Sequence, residues 1–245
     1  MVNKLNLTEF IDFESSVRSF YSGDLINNSG RYRSFDYCYN YFRSNIKNLD
    51  NDLEKSCLVL GFYLASWGMY RGSAKILQKS VVQYIPLVEY INGLNESYWE
   101  IDLDNYKGNI KKLSDLYEVI IEKLGKELNP SLTLVTKIML GVFGCVPAFD
   151  TNFRKGISSQ IDMKYGLSSL KKSLPLLREV YRANSEVINK LSEKFKTSDF
   201  GTCKDTGFHY TKAKILDMYG FMKGMEVIEK RKLDKEREKS SEKIV

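Results

Sequence analysis

Asn129–Gly156, NPSLTLVTKIMLGVFGCVPAFDTNFRKG, is the stretch from which the fold is read. Asn129 can cap a helix, and Pro130 suits a first helical position, where its missing N–H costs nothing. Leu132, Val135, Met139 and Val142 then recur at helical spacing and give one apolar face. Thr133, Thr136 and Lys137 are expected on other faces. Gly141 and Gly144 loosen the chain, and Pro147 stops any continuing helix. Asp150 follows, with Thr151 to Lys155 reading as the opening of a new helix. A carboxylate at a helix start, straight after a Gly/Pro turn, is the one candidate reactive acid in the chain. Asp is also among the commonest N-caps, so a purely structural cap stands beside that reading.

Outward from this stretch the pattern is helical in both directions. Upstream, Ile110–Leu124 is amphipathic, and residues 7–21, 31–49, 53–70 and 81–90 carry apolar stripes at helical spacing. Thr8 is a candidate cap for the first, and Pro86 falls within the last. Ile101–Tyr106 (IDLDNY) lacks the full ligand pattern of a calcium loop and reads as a connection. Between the third and fourth stripes lies Trp67-Gly68-Met69-Tyr70-Arg71-Gly72-Ser73, with Ser73 as a candidate cap for a helix running to about Lys79. Its Trp67, Tyr70 and Arg71 suit a pocket that stacks and hydrogen-bonds a flat base; the competing reading is a helix kink. Downstream, residues 166–184 and 186–196 read as two helices, the first punctuated by Pro175. Ser198–Phe208 is expected as an irregular loop, and a last helix is expected over 210–229. Segments of period two are too few to predict a sheet. The expected class is all-α: residues 1–229 as one helical globular unit or two lobes with a cleft, then 230–245 as a charged tail, frayed helix or disordered.

Composition narrows function by exclusion. No apolar run approaches the roughly 18 residues of a membrane span, and the N-terminus lacks a basic–apolar–small signal, so a cytoplasmic protein with no membrane partner is expected. Cys38, Cys57, Cys145 and Cys203 are scattered, which argues against a metal site or cofactor and for free thiols. The only histidine, His209, reads as a hydrogen-bonding residue rather than a general base, and no Cys/His or Ser/His pattern points to it. A formal charge of +6 permits a nucleic-acid partner without demanding one.

The ordered set Leu128-Asn129-Pro130-Ser131, Gly141 to Pro147, and Ala148-Phe149-Asp150-Thr151-Asn152-Phe153-Arg154 resembles the helix-hairpin-helix DNA glycosylase superfamily. In that pattern a hairpin between two helices lies about 20 residues before an Asp that opens the next helix. The resemblance covers about thirty residues in detail and the rest as an all-helical outline. It implies a compact helical fold with a helix-hairpin-helix element, and a DNA partner whose target nucleotide is flipped from the duplex. It also implies a monomer, with Asp150 stabilising the oxocarbenium ion and activating water. Ser131, Thr133 and Lys137 near the hairpin, with Arg154 and Lys155 beyond Asp150, are the implied phosphate contacts.

Two departures matter. Asn129-Pro130-Ser131 replaces the family's Gly-x-Gly, so the Leu132 and Thr133 amides and the Ser131 hydroxyl would have to meet the phosphate. Leu132 occupies the position, eighteen residues before Asp150, where strand-nicking members carry a Schiff-base lysine. Monofunctional base excision is therefore the implied chemistry, in repair or in defence against a phage carrying modified bases. A non-catalytic helical nucleic-acid-binding protein and a helical protein-interaction module are the rival classes.

Overall fold

The computed structural model describes residues 7–23, 27, 30–72, 74–161 and 167–242. Among these the chain is mostly helical, as expected. The α-helices are α1 Phe13–Ser22, α2 Ser34–Ser44, α3 Leu53–Ser66, α4 Ile85–Asn92 and α5 Tyr106–Leu124. They continue as α6 Leu132–Phe143, α7 Thr151–Gln160, α8 Leu170–Ala183, α9 Ser185–Lys194 and α10 Lys212–Glu242. Short 3-10 turns link several of them.

The apolar sequence of α6 makes it the axis of the molecule. Every residue from Leu134 to Phe149 is buried, with α2, α3 and α5 packed around the helix. This corrects the expectation of a one-faced helix: Thr136 and Lys137 lie inside as well. Its start also differs. Asn129 sits in the left-handed region at φ 46°, and the Ser131 hydroxyl caps the helix by accepting from the Leu134 amide at 3.1 Å. Pro130 therefore precedes the helix instead of opening it. At the other end Gly144, at φ +66°, is the left-handed residue that terminates α6.

Other boundaries moved for local reasons. α1 begins after residues 7–12, behind Asp12 in a left-handed conformation, and not at Thr8. Residues 75–78 make only a 3-10 turn, and Ser73, the expected cap, lies outside the described residues. Pro86 stands in the first turn of α4, where it is tolerated. Pro175 lies inside α8, which Ser169 caps; the expected start near Gly166 falls outside the described residues.

The region expected to be an irregular loop contains a two-stranded antiparallel sheet, β1 Lys196–Ser198 with β2 Asp205–His209. Strands of three and five residues are too short for periodicity to reveal them. Side chains hold them down: the Thr197 hydroxyl bonds Asn40 at 2.6 Å, and the Ser198 amide donates to the buried Asp36 carboxylate at 2.9 Å. Asp36 also accepts from Arg33 and Tyr210, and burial pushes its carboxyl above the usual carboxylate range. His209 is exposed on β2, with Nδ1 beside the Ser192 carbonyl.

α10 carries the chain's last stretch across the molecule. Its first amides, those of Lys212 and Ala213, donate to Asp102 at 2.7 and 2.8 Å. The IDLDNY segment thus supplies a helix cap from 110 residues away, and among the described residues no group of acids, Cys and His could hold a metal. Buried side chains from Phe10 to Phe221 form one contiguous core. From Lys230 to Lys239 the helix is exposed on every side, so the charged tail is a helical extension as far as Glu242. No helix among the described residues is long and apolar enough to cross a membrane.

Candidate active site around Asp150

Between α6 and α7 the chain runs extended, and side chains from distant elements hold its polar groups. Thr211 donates to the Gly144 carbonyl at 2.7 Å, and Tyr106 to the Cys145 carbonyl at 2.7 Å. The Ala148 amide donates to Asp217 at 3.0 Å. The Phe149 amide donates to Thr136, and its carbonyl accepts from Thr133, both at 2.9 Å. Buried backbone groups outside secondary structure must find such partners, and each one also fixes position.

This clamp delivers Asp150 to the N-cap of α7. One carboxylate oxygen accepts from the Phe153 amide at 2.9 Å, and the other meets the Lys137 ammonium at 3.0 Å. The pair is lopsided in exposure: the side chain of Lys137 is 2% exposed and that of Asp150 is 19%. Asp150 keeps partial exposure, while its lysine is sealed behind it. Lys137 is thus not a phosphate contact, as its place on an assumed polar face suggested. Thirteen residues of separation are closed by the turn at Gly144 and the extended segment after it, which bring Asp150 back to Lys137.

Behind the pair lies a second. Lys214 bonds Asp217 at 2.9 Å, with side chains 0% and 4% exposed. Both ammonium groups meet Trp67, at 4.5 Å for Lys137 and 4.8 Å for Lys214. Phe35 also lies against Lys214, at 4.6 Å. A desolvated cation over an indole ring gains about 2 kcal/mol, which offsets part of the burial cost. Tyr63 crosses Gly141, where a Cβ would collide with its ring, and donates to the Lys137 carbonyl at 3.0 Å. Burial raises the Tyr63 phenol and the Cys145 thiol well above their ordinary values, so both stay protonated near neutral pH and neither supplies an anionic nucleophile.

The remaining sequence candidates divide. Trp67 is buried and stacked on Tyr32 at 4.3 Å, so it serves the lysines and not an open base pocket. Tyr70 is half-buried, its hydroxyl 2.5 Å from that of Tyr84. Arg71 is exposed and lines a 680 Å³ cavity with Gly68, Lys75, Asn129 and Ser131, so the α5–α6 connection and the Trp67–Gly72 loop do meet. Ser131 is already committed as the α6 cap and Thr133 as a donor to Phe149. Arg154 and Lys155 line a separate cavity of 430 Å³ beside α10.

No family model, curated protein or solved structure matches the chain. The site therefore has to be read from its own geometry. Sequence reasoning missed Lys214 and Asp217 altogether. Their signal was a charged pair at i, i+3 within the apolar run Ala213–Met222, just as Lys137 is the one charge within α6.

Proposed function

We propose that the chain is a monofunctional DNA glycosylase that hydrolyses the N-glycosidic bond of a damaged or modified base. Supporting this reading is one observation above the rest. A carboxylate at a helix N-terminus is held by several parts of the fold, yet remains the more exposed member of its ion pair. Such a group can oppose positive charge that develops on an external substrate without reorganising. α5 and α6, joined by residues 125–131, precede it, and cationic cavities adjoin the segments on either side of it in sequence.

In this mechanism the target nucleotide leaves the stack, since its glycosidic bond is unreachable within a duplex. As the base departs, C1′ gains oxocarbenium character, and the Asp150 carboxylate stabilises it and accepts a proton from attacking water. Lys137 anchors the carboxylate. Its enclosed amine does not reach a sugar carbon, so the product is an abasic site, and borohydride treatment is expected to trap no covalent adduct.

The test is abasic-site formation on duplexes carrying a panel of damaged and modified bases. Wild type should release a base, and Asp150→Asn should lose at least about 100-fold in rate while binding DNA within about threefold. Asparagine keeps an oxygen for the Phe153 amide, so the cap survives. Equal rates for the two proteins would end the proposal. A second reading, a non-catalytic DNA-binding protein, draws on the fact that both Asp150 oxygens already have protein partners. It expects salt-dependent DNA binding and no base release from either protein. A protein-interaction module would show no salt-dependent DNA binding.

A further inference from the structure

We propose that the cleft between α7 and α10 is a binding site for a phosphate group, with Arg231 of the C-terminal helix as one of its ligands. The cleft follows from an unusually close helix crossing. A Cβ on Gly156 would overlap the Gly220 carbonyl oxygen, and one on Gly224 the Asn152 carbonyl oxygen. These glycines bring the two backbones into direct contact. Gly220, Gly224, Val227 and Arg231 follow one another at spacings of four, three and four, so they share the face of α10 that meets α7. On α7, Thr151, Lys155 and Ser158 repeat the same four-and-three spacing. Past the glycine contact these two faces line a cavity of 430 Å³.

The chemistry of that cavity is one-sided. Arg154, Lys155 and Arg231 all line it, together with the hydroxyl residues Thr151, Ser158 and Ser159, while Val227 and Leu167 supply its apolar wall. Among the described residues no carboxylate borders it, and none of the three cations forms an ion pair. Elsewhere the chain pairs its cations readily: Lys223, two turns earlier on α10, is bonded to Glu226 and faces Asp12. Three unpaired cations held near one another repel, and an anion offering several acceptor oxygens relieves this; two arginines and hydroxyls match a phosphate. That phosphate belongs either to a nucleic-acid backbone or to a free phosphorylated molecule. Neither the Asp150 carboxylate nor base excision enters into the assignment, so a catalytically silent protein would leave it standing.

Calorimetric titration of the full chain with an unmodified 20-base-pair duplex at several salt concentrations, and separately with inorganic phosphate, tests it. The variants are Arg231→Gln, Lys155→Gln and, as a control cation on α5 that does not line the cavity, Lys111→Gln. If the phosphate is a backbone group, Arg231→Gln and Lys155→Gln each weaken duplex binding about five- to tenfold and lower the slope of log K against log salt by about 0.9. If it is free, inorganic phosphate binds saturably to wild type, and the same two variants lose that binding with duplex affinity unchanged. Responses to Arg231→Gln no larger than to Lys111→Gln, with both probes, would overturn the site.

Discussion

Lys137 and Lys214 place two ammonium groups against one indole ring, each with a single carboxylate partner. Because burial is unequal within the first pair, its two members are not equivalent in stability. Asp150→Ala removes a cap, worth about 1 kcal/mol, and also strands a sealed ammonium, so its total cost should reach about 3–5 kcal/mol. Lys137→Met leaves behind a carboxylate that reaches water and still caps α7, so it should cost less than about 1.5 kcal/mol. Urea denaturation of the two variants measures the difference; equal losses would contradict the asymmetry. Asp150 was legible in the sequence because capping is local: an acid after a Gly/Pro turn declares itself. Its partner was not, because Lys137 is read by helical period as a surface residue until the three-dimensional path of residues 144–150 is known. Trp67 was noticed for the right aromatic character and given the wrong neighbour, since nothing local says that a ring will face inward onto lysines from two other helices.

At the scale of elements, the α7–α10 crossing makes a sharp prediction about glycine. Gly156→Ala and Gly224→Ala insert a methyl group where backbone atoms already stand, so each should destabilise by about 2–3 kcal/mol or more. Gly108 is exposed in the first turn of α5, and a Cβ there meets nothing. Gly108→Ala should stabilise by about 0.5–1 kcal/mol through helix propensity alone. Thermal unfolding of the three variants should therefore split in sign; a common direction would show that the crossing is slack. Helices such as α3, α5, α6 and α8 were readable from apolar spacing, which reports the period of a long element. The β1–β2 ribbon was not, because its stability lies in side-chain bonds to Asn40 and Asp36 on α2, over 150 residues away.

Across the whole molecule, one core extends from Phe10 to Phe221, and α10 contributes to it only through its first three turns or so. Ending the chain after Lys232 should leave cooperative unfolding intact, with Tm lowered by less than about 4 °C. Ending it after Lys212 removes Lys214, Asp217, Tyr219 and Phe221, and should abolish cooperative unfolding. Circular dichroism melts of both truncations decide this, and a cooperative transition in the shorter one would show that α10 is dispensable. The all-helical class was legible because it sums many local signals. The sequence left one unit and two lobes both open, because the choice depends on how distant elements such as α1 and α10 meet.

The clamp on residues 144–150 also orders events in time. Thr133, Thr136 and Lys137 are synthesised before Asp150, but Thr211 and Asp217 follow the groups they hold by 67 and 69 residues. At a synthesis rate of about 5–20 residues per second, the Ala148 amide waits roughly 3–14 s for its partner. A nascent chain therefore carries the Asp150 carboxylate long before it can aim it, and the candidate site becomes complete only as the last long helix arrives.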